Sequence, residues 1–245
     1  MQEPTSAADD AESAAPPEAP AEGLRAYLRE GAVRGRTTED VTSALREAIL
    51  DGFLSPSTWL RESDLAEAFK VSRTPIREAL QRLADEGLAV KTAHHGAMVA
   101  SLSLEDVLAL YVVREDLEGL AARLAAVRCP PGLVDQLDDI NSAMRDAVEQ
   151  VDITVLAKLN LTWHRALRTG AANPYLERFL NQVEHAVRRL PATTLVHPGR
   201  SEEVLAEHEA IARAVQARDG DAAEREARAH MRRAREIRLA VLIGS

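Results

Sequence analysis

The chain has few aromatic residues. Phe, Trp and Tyr make up 3% of its 245 residues, and Ala, Leu, Arg and Glu dominate, a composition that suits helices. It has a single cysteine, Cys129, which excludes an intrachain disulfide framework. No apolar run approaches the roughly 20 residues that a membrane helix needs. No basic stretch followed by an apolar one opens the chain, so a secretory signal is not expected. Together these absences point to a cytoplasmic protein with no membrane partner. The length fits one or two domains.

What is present begins with Val71-Ser72-Arg73-Thr74-Pro75-Ile76-Arg77-Glu78-Ala79-Leu80. Ser72 is a good N-cap, because its hydroxyl can accept from a free first-turn N–H. Pro75 falls in that first turn, where a missing N–H costs little. Ile76, Leu80 and Leu83 recur at helical spacing and form the inward stripe. Arg73 and Arg77 are four apart and share the outward face near the N-terminal end. A helix-turn-helix protein presents that end to base edges in the major groove. Residues 62–69 (ESDLAEAF) read as the preceding helix, with Leu65, Ala66 and Phe69 inward, and Lys70-Val71-Ser72 as the turn. After Gly87, two short strand-like runs around Thr92–Gly96 read as a β-hairpin wing. The predicted DNA contacts are Ser63, Ser72, Arg73, Thr74, Arg77, His95 and Gly96. Gly96 is expected to let the wing approach DNA closely. The two arginines alone would favour an ordinary surface helix; the turn and wing in register favour DNA.

SRTPIREAL followed by LADEGL closely resembles the signature of GntR-family transcriptional regulators. Downstream, VREDLE with AARLAA resembles the opening of the FCD effector domain of the FadR-like branch. The resemblance covers about 200 residues. The expected fold is mainly α. Residues 1–37 form an acidic, Pro/Ala-rich disordered tail and linker, residues 38–102 a winged helix-turn-helix, and residues 103–243 an all-helical effector-binding and dimerisation domain.

A DNA binder with a formal charge of −9 calls for a closer count. Residues 1–23 carry six acids and no base. Residues 38–102 hold seven Lys/Arg against ten Asp/Glu. Positive charge in that segment is concentrated in Lys70, Arg73, Arg77, Arg82 and Lys91, and its placement on one face matters more than the sum. A modest salt dependence and a need for dimerisation follow. Residues 1–22 lack the apolar surface to offset ordering entropy. Residues 23–36, with four arginines around Leu24, Tyr27 and Leu28, read as a linker, with a short helix or a basic arm as alternatives.

Ser103 with Asp106 reads as a capping box. From there to Leu242 the chain is a succession of helical periods. They are broken at Cys129–Gly132, Gly170–Pro174, Pro191–Gly199 and Asp219–Asp221, giving six or seven helices. His164, His208 and His230 each sit on an apolar stripe of a different helix, and Asn160 lies one turn before His164. A lone histidine on such a stripe is usually a satisfied core residue, but three can converge on a divalent metal, with Asn160 adding a carbonyl oxygen.

The FCD resemblance implies the same ligand set: Asn160, His164, His208 and His230, for zinc, nickel or manganese. Asn160 stands where many relatives have Asp, which makes it the weaker ligand. Neutral ligands would leave the ion's charge uncompensated and favour an anion in the open positions. Asp152 and Glu207, the nearest carboxylates in sequence, read as surface residues, so no general base is expected. Arg114 is the expected partner for an effector carboxylate, with an i+4 salt bridge to Glu118 as the alternative. Asn173 is expected to cap the loop before Pro174, and Trp163 to pack. The implied function is a homodimeric, metabolite-responsive repressor of operator DNA. The rival readings are a metal-dependent enzyme and a direct metal sensor.

Overall fold

Two capping boxes open the two halves of the molecule. Thr37 donates its N–H to Asp40 Oδ2 at 2.9 Å and accepts from the Asp40 N–H at 3.2 Å. Ser103 and Asp106 repeat the exchange at 2.9 and 3.1 Å. Each box satisfies two otherwise orphaned N–H groups and fixes where a helix begins. The computed structural model describes residues 19–28, 37–92, 96–190 and 193–243. It divides into two units, Met1–Ser101 and Leu102–Ser245.

In the first unit, α1 (Ala21–Leu24) precedes α2 (Thr38–Leu50), α3 (Glu62–Phe69) and α4 (Arg73–Asp85). Val41, Leu45, Ile49, Leu65, Phe69, Ile76, Leu80 and Leu83 meet in one core. Lys70 adopts a left-handed conformation (φ 54°) and turns the chain from α3 into α4. Strands β2 (Ala89–Thr92) and β3 (Gly96–Val99) form the wing. Their pairing is antiparallel, with Ala89 opposite Val99 and Thr92 opposite Gly96. A short strand β1 (Trp59–Leu60) pairs with the other edge of β3, so the order is β1-β3-β2. The sequence pattern did not reveal β1, because two residues carry no period.

Reading residues 1–37 as tail and linker needs correction at residues 19–28. Leu24 is fully buried against the core of this unit. The Arg25 Nε donates to the Ala68 carbonyl at 2.6 Å, close to the C-terminal end of α3. Ala19 N–H donates to the Trp59 carbonyl at 3.2 Å. Tyr27 stacks obliquely on Phe53 with ring centroids 5.6 Å apart. Three large apolar side chains within five residues suffice to dock a short segment when a ready-made groove receives them.

The second unit holds α5 (Leu104–Arg128), α6 (Leu133–Glu149), α7 (Ile153–Gly170), α8 (Pro174–Arg188), α9 (Arg200–Gln216) and α10 (Gly220–Ile243). The four predicted breaks fall at helix junctions, but a fifth junction, between α6 and α7 at Gln150–Asp152, was not foreseen, because it carries neither glycine nor proline. Asn173 caps α8, accepting from the Tyr175 and Leu176 N–H groups at 3.2 Å. α5 and α10 run antiparallel in close contact. Ala122, Ala125 and Ala126 share one core cluster with Ala223 and Ala227, all almost without exposure. Gly119 leaves no room for a Cβ, which would sit 2.7 Å from Arg228 Cγ. Ion pairs flank the seam, including Arg228 to Asp116 at 2.5 Å and Arg232 to Glu115 at 2.7 Å. This contact sets Glu118 of α5 beside His230 of α10.

Leu24→Ala should cost about 2–4 kcal/mol, the usual range for a buried leucine. Amide exchange in α3 and α4 of the intact protein should speed up accordingly. Unchanged protection there would show that α1 does not brace these helices.

Candidate functional site

The predicted DNA face assembles on the first unit. Ser72 is the N-cap of α4, but its hydroxyl makes no bond to the helix. The sequence-based reason for Ser72 is thus corrected: the first-turn N–H groups stay open. Arg73, Thr74 and Arg77 are exposed on the following turn, and Ser63 is exposed on α3. Ser63 Oγ donates to Asp64 at 2.8 Å. Gly96 is required by geometry: its φ is +100°, and a Cβ there would lie 2.4 Å from the Leu60 carbonyl oxygen. His95 lies outside the described residues.

Most cationic groups of this unit already have partners. Arg82 pairs with Glu39 at 2.6 Å and Arg46 with Glu86 at 2.6 Å. Lys91 Nζ donates to Gln81 at 2.5 Å. Arg77 donates Nε and Nη2 to the two carboxylate oxygens of Glu62, at 3.0 and 2.8 Å. These bonds hold the Glu62 carboxyl below its usual value. Among the described residues, Arg73 enters no ion pair.

In the second unit, His164 of α7, His208 of α9 and His230 of α10 converge. One candidate ligand atom from each lies within 4.8 Å of the others, and all three residues are buried. The Nε2 atoms of His164 and His230 are 3.3 Å apart. Each of these rings turns its Nδ1 outward onto a carboxylate: His230 to Glu207 Oε2 at 2.5 Å, and His164 to Glu118 Oε2 at 3.4 Å. Asn160 is half-buried one turn before His164. Trp163 is fully buried and stacks on His208 at 3.8 Å, so it packs as expected.

Glu118 and Glu207 stand beside the cluster, which corrects the expectation that Glu207 is a helix-surface residue. Glu207 is not a simple surface residue, because Arg200, itself 1% exposed, grips it through Nη1 and Nη2, each at 2.8 Å. Two helical turns separate Arg200 from Glu207, which puts both beside Val204, His208 and Ile211. That spacing was a usable signal. Glu118 likewise sits on the buried stripe of Tyr111, Ala122 and Ala125. Arg114 makes the i+4 pair, Nε to Glu118 Oε1 at 3.4 Å, and lies over the Tyr111 ring. Among the described residues its terminal nitrogens have no partner.

The electrostatics follow from this layout. Burial pushes the Glu118 carboxyl up, but His164, Arg114 and His230 outweigh it and hold it at about 2. Burial opposes ionisation of Glu207 as well, and bonds to His230 and Arg200 overcome it and lower its value. Burial drives His230 down to about 4 against the pull of Glu207, and drives His208 well below its usual value. Imidazoles kept neutral by burial offer lone pairs. His208 has neither ring nitrogen hydrogen-bonded although it is fully buried. Leaving such groups unpaired is costly, and a divalent cation would satisfy the lone-pair nitrogen of His208, so the donor set fits a metal. An ion bound there would act as a Lewis acid toward an anionic group.

Residues 37–99 match the bacterial regulatory proteins of the gntR family, and residues 109–233 match the FCD domain. The chain belongs to the GntR family. It is 30% identical over 190 residues to the HTH-type transcriptional regulator YdhC of Bacillus subtilis, covering 76% of this chain and 84% of that one. It is 28% identical over 193 residues to the HTH-type transcriptional repressor RspR of Escherichia coli, covering 79% and 85%. The structure of E. coli McbR/YncC shares the fold, with a TM-score of 0.67 at 21% identity, over 84% of this chain and 97% of that one. These relatives are regulators, not enzymes. This GntR protein is therefore a DNA-binding transcriptional regulator with an FCD effector domain. No helix among the described residues is long and apolar enough to cross a membrane.

The pH dependence of stability follows from His230. In the unfolded chain it takes up a proton near 6.5, and in the folded chain only near 4. Between those values the unfolded state binds more protons, so stability falls as pH falls. With chelator present, the melting temperature should decline from pH 6.5 to 4, and less steeply in His230→Gln. Glu118 then continues the decline between about 4.5 and 2. A flat profile between pH 6.5 and 4 would refute the buried neutral imidazole.

Proposed function

We propose that this regulator is a repressor whose operator affinity is set by a small carboxylate held at a metal centre in its FCD domain. The carrying observation is the convergence of three buried imidazoles, one with both nitrogens unpaired, next to an arginine with a free terminal fork. The ligands are His164, His208 and His230, with Asn160 as the weaker fourth, and the ion is zinc, nickel or manganese. Each nearby carboxylate is matched by its own arginine, Glu118 by Arg114 and Glu207 by Arg200. The surroundings therefore add no net charge, and a dication keeps its pull on an anion. The carboxylate would complete the coordination while the Arg114 fork receives its second oxygen. Binding one conformation of the dimer better than another would shift its affinity for DNA. The protein acts in the cytoplasm, where its operator DNA lies.

Two-fold operators require two recognition helices, so the functional unit is a homodimer. Helix α5 offers a surface for it. Leu110, Val113, Leu117, Leu120, Leu124 and Val127 recur at alternating spacings of three and four, the pattern of a helix–helix seam. Val113, Leu120 and Val127 are 51%, 39% and 58% exposed. On α8, Leu176 and Leu180 pack with Leu117 and Leu124, and Tyr175 and Phe179 stand exposed beside them.

His230→Ala should lose stoichiometric metal, read by elemental analysis, and lose any response of operator binding to carboxylates, while operator binding itself persists. Metal content equal to wild type in this variant would place the ion elsewhere. Separately, Leu120→Glu should convert a dimer to monomer in analytical ultracentrifugation and weaken operator binding at least ten-fold. A variant that stays dimeric would move the interface off α5.

A further inference from the structure

The bidentate pair between Glu62 and Arg77 sits on the face that meets DNA. Glu62 is the first residue of α3, and Arg77 lies in the second turn of α4. A guanidinium has five N–H groups in a fixed plane. Glu62 takes the Nε–H and one Nη2–H, the side-on edge. The other Nη2–H and the two on Nη1 remain, and they form the end-on fork. That fork matches the O6 and N7 acceptors of guanine, which only the major groove presents together. The Arg77 side chain is 65% exposed, so the fork is accessible, while Glu62 is 24% exposed and packed behind it.

We infer that Glu62 is a specificity-determining positioning residue, which grips Arg77 side-on so that its free fork reads a guanine in each half-site. The pair acts in two ways. It fixes a long, flexible side chain before DNA arrives, so less freedom is lost on binding a base. It also places a negative charge next to Arg77, which discourages the arginine from settling on a phosphate and repels DNA that offers no guanine there. Both effects raise the ratio of specific to non-specific affinity. Arg73, one turn earlier and without an ion pair, remains the freer arginine for phosphate or base. The inference rests on DNA binding alone and does not involve the metal centre.

The test uses duplexes that the full-length wild-type protein selects from a random 20-base-pair library. Anisotropy titrations then compare the selected duplex, a scrambled duplex, and versions with 7-deazaguanine at each guanine in turn, which lack the N7 acceptor. Wild type should lose roughly ten-fold at one guanine per half-site, within the range for a bidentate contact. Glu62→Gln should lose most of that sensitivity, and its specificity ratio should fall at least five-fold. Its non-specific binding should strengthen, and its salt slope should steepen by about 0.9 as the released Arg77 finds a phosphate. Arg77→Lys keeps the charge but not the fork, and should lose the same sensitivity. Glu39→Gln, which frees Arg82 elsewhere on the unit, should change neither reading. Melting curves verify that the variants are folded. If Glu62→Gln keeps its 7-deazaguanine sensitivity, or binds the selected duplex more tightly at an unchanged ratio, the inference is overturned. Retained sensitivity in Arg77→Lys also overturns it.

Discussion

Three imidazoles buried in one helical core need partners for their ring nitrogens, and the second unit is organised around that need. Glu207 holds the outer nitrogen of His230, and Glu118 stands 3.4 Å from that of His164. Arg200 and Arg114 in turn hold the two carboxylates. Breaking any buried member would strand its partner, which costs more than the pair itself contributes. Four helices, α5, α7, α9 and α10, are tied together by these contacts. Helix α5 packs on α10 through small residues, and its Glu118 reaches His164 of α7. Small residues there serve the polar centre as much as the apolar core.

The same economy of charge governs the DNA-binding unit. Its acids outnumber its bases, yet the acids are spent on neighbouring arginines rather than spread over the DNA face. Glu39, Glu62 and Glu86 each take one. Few free cations remain to neutralise phosphates, so non-specific attraction is limited. Discrimination must then come from oriented side chains and, in the proposed dimer, from pairing two half-sites. A negative net charge and sequence-specific DNA binding are compatible for this reason.

Much of the fold was legible in the sequence because it depends on local rules. Capping residues, helical periods and Gly/Pro breaks placed the helices of the second unit except for the α6–α7 junction, and the HTH turn and wing fell where the pattern put them. Local rules failed where the determinant is a groove supplied by distant residues. Leu24, Tyr27 and Phe53 docked a segment that composition had assigned to a linker. The two-residue strand β1 exists only because β3 offers it an edge. At Gly96 the structure supplies a reason for glycine that the sequence did not offer, the Leu60 carbonyl that a Cβ would meet.

For the candidate centre, the sequence determined which imidazoles face inward, since side-chain direction along a helix follows from its period. It also set the residue types at Asn160 and Arg114. Only the tertiary structure decided what surrounds them: that Glu118 and Glu207 back two of the rings, that His208 stacks on Trp163 with both nitrogens unpaired, and that Arg114 spends one nitrogen on Glu118. Periodicity tells which face a residue occupies, whereas a partner across helices depends on their relative height and approach. Those are fixed by packing among residues far apart in the chain, chiefly the alanine seam that draws α5 and α10 together.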